Sequence, residues 1–232
     1  MCGRFTCFLS AELLSQLYRV QVEPGSVPPR YNIAPSQPVL IVRELPDGSR
    51  QAAWVHWGLI PSWSKDPSVG GSLINARSET AAEKPSFRSA FRRRRCLIPA
   101  SGFYEWQKKE GKSKQPWFIT SDDGRPLSFA GLWEQWHSPD GSDIETCAIL
   151  TTSPNERMEP IHHRMPVILA PESFRAWLSP ESCPDELQGL LVPFPSERMK
   201  CYPVRTLVNR PGNDSPELLI PLKEPDKGED NQ

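Results

Sequence analysis

The residues of this chain best equipped for covalent chemistry stand at its very start, in Met1-Cys2-Gly3-Arg4-Phe5. Cys2 follows the initiator methionine, and its small side chain predicts that an aminopeptidase removes Met1. The mature terminus would then carry a primary amine and a thiol on adjacent carbons. That pair is suited to aldehydes. The amine forms a Schiff base, and the sulfur closes a five-membered thiazolidine on the same carbon. An α-amine of pKa about 8 is partly neutral at physiological pH, whereas a lysine needs its pKa lowered first. The thiol, with an ordinary pKa of about 8.5, is expected to need only a modest push to ionise. Gly3 permits close backbone approach. Arg4 offers a fork of donors for a phosphate, and Phe5 an apolar anchor. The alternative is an inert thiol on a loose terminus.

Five further residues have suitable types. Asn75, in LINARSE, has an amide oxygen that could hold an amine without changing local charge, although capping a turn is the commoner use. Arg77 follows two residues later and shares its face if the segment is extended. Glu105, in GFYEW, alternates with aromatic residues. A strand there would set Phe103, Glu105 and Gln107 against Tyr104 and Trp106. Desolvation would raise the Glu105 pKa towards acid–base use. His162 and His163 form the one adjacent histidine pair, and a proton shuttle is one use of such a residue. In an extended segment the two would point to opposite sides. No C-x-x-C or H-E-x-x-H accompanies them, so neither a metal site nor a cofactor is expected.

The elements positioning these residues read as many short strands. Pro38–Arg43 and Gln51–Trp57 form a hairpin about Asp47-Gly48. Strands are also expected at 96–100, 103–107, 117–120, 127–133, 146–152, 166–169 and 200–204. Helices are expected at Ser10–Val20, with Leu13, Leu14 and Leu17 on one face, directly after Asn75–Thr80, and at 85–94, 172–178 and 185–191. Residues 30–35 are too polar and proline-limited for a central strand. Residues 58–71 form a long loop, a common place for function. The irregular order indicates α+β: one domain over residues 1–222, on a largely antiparallel, barrel-like sheet with short helices. An acidic tail, 223–232, is expected to be disordered.

The 232 residues suit one domain or at most two, and 38% hydrophobic against 24% charged residues suits a globular chain. Net charge is −1, so any basic surface is local: Arg88 and Arg92–Arg95 form one run, and Lys108, Lys109, Lys112 and Lys114 a solvated turn. Eight tryptophans could stack bases or fill the core. Six cysteines without a compact framework, no signal segment and no long apolar span indicate free thiols in the cytoplasm and no membrane.

Taken in order, MCGRF at 1–5, RYNIAP at 30–35, WGLIPSW at 57–63, INARSET at 74–80, GFYEW at 102–106 and IHHRMPV at 161–167 resemble the SRAP (SOS response-associated peptidase) family. That resemblance implies a monomeric shield of abasic sites in single-stranded DNA, nucleoid-associated if bacterial. It would crosslink through Cys2 as a thiazolidine, with weak abasic-site lyase activity when ring closure fails. It implies catalytic roles for Cys2, Asn75, Glu105 and His162, and phosphate contacts from Arg4, Arg77 and Arg164. Asn32, Pro35, Trp63 and Thr151 would line the DNA path. His163 stands where the family pattern carries an acidic residue. Two other readings suit these residues: an autoprocessing cysteine peptidase or N-terminal-nucleophile amidase, and a non-catalytic single-strand DNA-binding module.

Overall fold

The computed structural model describes residues 2–109, 111, 113–138 and 140–222. Met1 and the acidic tail from residue 223, with the expectations attached to them, lie outside these residues. The described chain runs through β1 (Arg4–Cys7), β2 (Arg30–Ile33), β3 (Pro38–Glu44), β4 (Arg50–Trp57), β5 (Asn75–Arg77), β6 (Arg95–Ala100), β7 (Gly102–Lys108), β8 (Lys114–Ser121), β9 (Leu127–His137), β10 (Asp143–Thr152), β11 (Met165–Pro166) and β12 (Met199–Pro203). Short helices α1 (Ala11–Tyr18), α2 (Arg88–Arg93), α3 (Phe174–Leu178) and α4 (Pro184–Gly189) are interspersed.

Five strands close a barrel. β10, β4, β3, β6 and β9 pair in that order, and β9 returns to β10. All these pairings are antiparallel except β4 with β10. β5 and β11 extend from β10. A second sheet has the order β12-β8-β7-β1-β2. The α+β, barrel-like expectation therefore holds. β3 is apolar without alternation because Val39, Leu40, Ile41 and Val42 are all buried, so both its faces are covered. The β3–β4 hairpin turns at Gly48, at φ +80°. β2 pairs with β1 at the edge of its sheet, as its proline-limited composition requires.

Phe5 joins the two sheets. It packs edge-on against Trp57 at 5.2 Å and Phe129 at 5.8 Å. Centroid separations of this size suit edge-to-face rings, and burying each ring is worth about 2–3 kcal/mol. β1 is thus fixed from both sides, and Cys2, two residues before it, is fully buried. This excludes the loose-terminus alternative.

Several expected elements differ. The buried stripe of α1 is Ala11, Leu14 and Tyr18, while Leu13 is exposed, and the helix ends at Tyr18 with Arg19 in the left-handed region at φ +55°. No helix follows directly on Asn75–Thr80; the next begins at Arg88. Residues 75–77 are a strand, and residues 78–84 are successive turns, with Ser78 N–H donating to Thr151 O. β5 pairs in parallel with β10, so the extended reading that sets Asn75 and Arg77 on one face holds. Of the expected strand at 166–169, Met165–Pro166 pairs with β10, and Ile168 adds a single bridge to Phe129. The arginine run is partly structural. Arg95 is buried and donates to Phe91, Arg92, Trp177 and Ser179 carbonyls, tying the ends of α2 and α3 together. Arg94 pairs with Glu134 at 2.6 Å, leaving Arg92 and Arg93 exposed.

The loop after β4 is a constructed feature. Gly58 has φ +140°, and a Cβ there would lie 2.7 Å from Gly70 O. Thr146 Oγ1 accepts from Ile60 N–H, and Trp136 Nε1 donates to Ser64 O. These anchors hold Trp63 outward, 64% exposed. Gly58→Ala is expected to lower stability by about 2 kcal/mol, from the clash and the disfavoured φ together, measured by urea denaturation. An unchanged midpoint would show that this contact does not hold the loop.

Candidate active site at the N-terminal cysteine

Cys2 lies where β1, β5 and β7 meet. Asn75 Nδ2 donates to Cys2 O at 2.9 Å. The opposite end of that amide, Oδ1, is buried and accepts no hydrogen bond among the described residues. An unfilled buried acceptor costs about 1–3 kcal/mol, so its retention beside Cys2 marks a position for a donor.

The Cys2 sulfur lies 4.0 Å from Arg4 O. Burial pushes its thiol far above the ordinary value, and the nearby charge of Glu105 adds to the effect. The modest ionisation expected from the sequence is therefore corrected: the thiol is firmly protonated, and its attack needs a base.

The carboxyl that acts on the thiol is Glu105, on β7. β7 alternates as expected. Phe103 and Glu105 face the main core, while Tyr104 packs with Phe118, Val204 and Val208 in a separate cluster. Only 2% of Glu105 is exposed, and burial raises its carboxyl from 4.5 to about 7. A carboxyl of that pKa takes and returns protons near neutrality.

His162 Nδ1 lies 3.9 Å from Glu105 Oε1. It accepts the Arg164 backbone N–H at 3.0 Å. Burial lowers the His162 pKa to about 4, so the ring is neutral at pH 7. The two histidines do not point to opposite sides. Their segment bends, and the rings stack 4.3 Å apart, with His163 exposed. Among the described residues no three His, Cys, Asp or Glu side chains cluster in a way that could hold a metal ion.

A cationic rim adjoins this cluster. Arg77 sits opposite Thr151 in the β5–β10 ladder and is exposed, on the same strand face as Asn75. Arg164 donates to Thr151 O and to both oxygens of Glu79. Arg4 donates to Asn32 Oδ1 at 2.9 Å and Val208 O at 2.8 Å. Asn32 is fully buried, and its Nδ2 lies against the Val208, Arg210 and Asn213 carbonyls. Asn32 therefore shapes the wall beside Arg4 rather than a surface. Thr151 is likewise fully buried. Pro35 is half-buried after β2, and neither it nor Trp63 is hydrogen-bonded into the cluster among the described residues.

Sequence reading assigned no role to Glu79 or Asp214. Asp214 accepts from the Tyr31 and Asn32 N–H groups and pairs with Arg30, tying the 206–214 segment to β2. Neither residue carries a local signal, since each partner lies at least 85 residues away in sequence.

A closed barrel backed by a second sheet, with a buried cysteine beside a buried carboxylate and a neutral imidazole, defines a β-rich domain with a thiol–carboxylate site at its N-terminus. The chain belongs to the SOS response-associated peptidase (SRAP) family, whose model matches residues 1–211. It is 46% identical over 223 residues to the abasic site processing protein YoqW of Bacillus subtilis, covering 94% of this chain and 99% of that one. The abasic site processing protein HMCES of Gallus gallus is 34% identical, over 96% of this chain and 78% of its own. A crystal structure of a Bacteroides thetaiotaomicron protein superposes with a TM-score of 0.87 at 28% identity, covering 96% of this chain and all of that one.

Proposed function

We propose that this protein captures abasic sites in single-stranded DNA as a covalent thiazolidine at Cys2. The observation that carries the reading is the company of Cys2: a buried thiol, an unfilled Asn75 oxygen beside it, and the raised carboxyl of Glu105. Once Met1 is removed, the Cys2 nitrogen attacks C1′ of the ring-opened sugar. The carbinolamine loses one water to give an imine. The sulfur then bonds to the same carbon, and its proton, taken up by Glu105, is returned to the imine nitrogen, which becomes the ring N–H. The balance is one protein plus one aldehyde, less one water.

Asn75 Oδ1 orients the amine, and His162 moves protons to and from the sugar oxygen. Arg4, Arg77 and Arg164 take phosphates, while Asn32 and Thr151 hold Arg4 and Arg164 in place. Trp63 and Pro35 line the strand's path, with Trp63 as a stacking surface. An imine that escapes ring closure leads to β-elimination, which makes lyase activity a side reaction. The abasic-processing names of the similar proteins support this substrate.

Intact mass measurement tests the reading directly. The purified chain is expected to lack Met1. Incubation with a single-stranded oligonucleotide bearing one abasic site is expected to add the oligonucleotide mass less one water. Cys2→Ala should give no adduct. A Met1-free protein that forms no adduct would overturn the proposal.

A further inference from the structure

Arg164 presents a fork of donors at the edge of the Cys2 site, and that fork is already filled. Nη1 lies 2.6 Å from Glu79 Oε1, and Nη2 lies 2.8 Å from Glu79 Oε2. The two partners are unequally fixed. Nη2 also donates to Thr151 O at 2.5 Å, inside the β5–β10 ladder, and 13% of the Arg164 side chain is exposed. The Glu79 side chain is 49% exposed and stands on a turn. An arginine held from behind thus carries a carboxylate that can swing away into water.

Arg77 is close enough for its charge to act on Glu79 as well. The hydrogen-bonded partner of Glu79 is Arg164. A carboxylate and a phosphodiester present the same pair of oxygens to an arginine fork.

We infer that Glu79 is an internal stand-in for a DNA phosphate, occupying Arg164 until a strand enters and takes its place. This rests on the proposed function and adds to it. Exchange of one anion for another makes this contact contribute little to binding of undamaged DNA. Retention then depends on covalent capture at Cys2. The pair also keeps Arg164 aligned, and with it the backbone N–H that holds His162.

The counterion balance makes the inference measurable. An arginine already neutralised by Glu79 releases no salt ion when a phosphate arrives. A freed arginine does, at about 0.7 in the slope of log K against log salt for a single strand. Glu79→Gln is therefore expected to tighten binding of an undamaged single-stranded oligonucleotide about fivefold at low salt, roughly the worth of one exposed ion pair. It should also steepen the salt slope by about 0.7. In an Arg164→Gln background, Glu79→Gln should change neither quantity. An effect that persists there would mean that Glu79 only repels DNA through its field, which overturns the inference. So would unchanged or weaker binding by Glu79→Gln alone. Adduct formation with an abasic oligonucleotide is measured on the same wild-type preparation. Its absence would count against capture at Cys2, whereas an adduct without the Glu79 effect would count against the stand-in alone.

Discussion

Cys2→Ser protein is expected to cut an abasic strand where the wild type caps it. Serine keeps the α-amine, so imine formation at C1′ proceeds. The replacement changes one fully buried atom whose sole described hydrogen bond is a long contact to Arg4 O, so the fold is retained. Ring closure is what fails. A hydroxyl is a far weaker nucleophile than a thiolate, and a buried one finds little help. The imine then has two exits, hydrolysis or loss of a C2′ proton with expulsion of the 3′ phosphate. The heat-stable adduct should fall at least about 100-fold, the scale of losing an essential nucleophile. Strand breaks should rise, and borohydride should trap the imine as a reduced adduct on residue 2. Denaturing gels with and without borohydride read all three. A heat-stable adduct at wild-type levels from the serine variant would show that the sulfur is not part of the linkage.

What could be read from the sequence divides according to how far its causes reach. The β3–β4 hairpin was legible because Asp47-Gly48 and its flanking apolar runs are local. The facing of Glu105 was legible because strand alternation is local too. The chemistry of a terminal aminothiol needs no fold at all. The strand at 75–77 could be read only as a conditional extended segment because its hydrogen bonds go to β10, about 75 residues on. The buried state of Arg95 could not be told from that of Arg92 or Arg93, since what separates them is contact with α3. The Cys2 thiol illustrates the same limit in electrostatics. Its proton affinity is set by burial and by Glu105, neither of which adjoins it in sequence. The Glu79–Arg164 pair is the clearest case, two ordinary surface residue types whose meaning arises only when the fold sets them face to face.

Glu105→Gln is expected to make the protein slower and more stable at once. The glutamine is nearly isosteric but takes up no proton, so the thiol loses its proton acceptor. Loss of a positioned general base costs about 100-fold or more in rate. The wild-type rate should climb as pH rises through about 7, where Glu105 ionises. It should climb further towards 8 as the α-amine loses its proton. The variant should keep only the second rise. Stability moves the other way. The folded carboxyl sits at about 7 against an ordinary 4.5, so the folded state binds more protons than the unfolded state between those values. Wild-type stability therefore falls as pH rises across that window, by about 3 kcal/mol in all. His162 has the opposite sign: its depressed pKa of about 4 makes stability rise with pH between about 4 and 6.5. The two slopes offset each other in the wild type. Without the carboxylate the histidine slope remains alone, so Glu105→Gln stability should rise from pH 4 to 6.5 and exceed the wild type at pH 8 by about 3 kcal/mol, several degrees in Tm. Thermal melts at pH 5 and pH 8, paired with single-turnover capture rates, decide the matter. A variant less stable than wild type at pH 8 would mean that the Glu105 charge is compensated in the folded protein, and an unchanged pH–rate profile would remove Glu105 from the proton transfer.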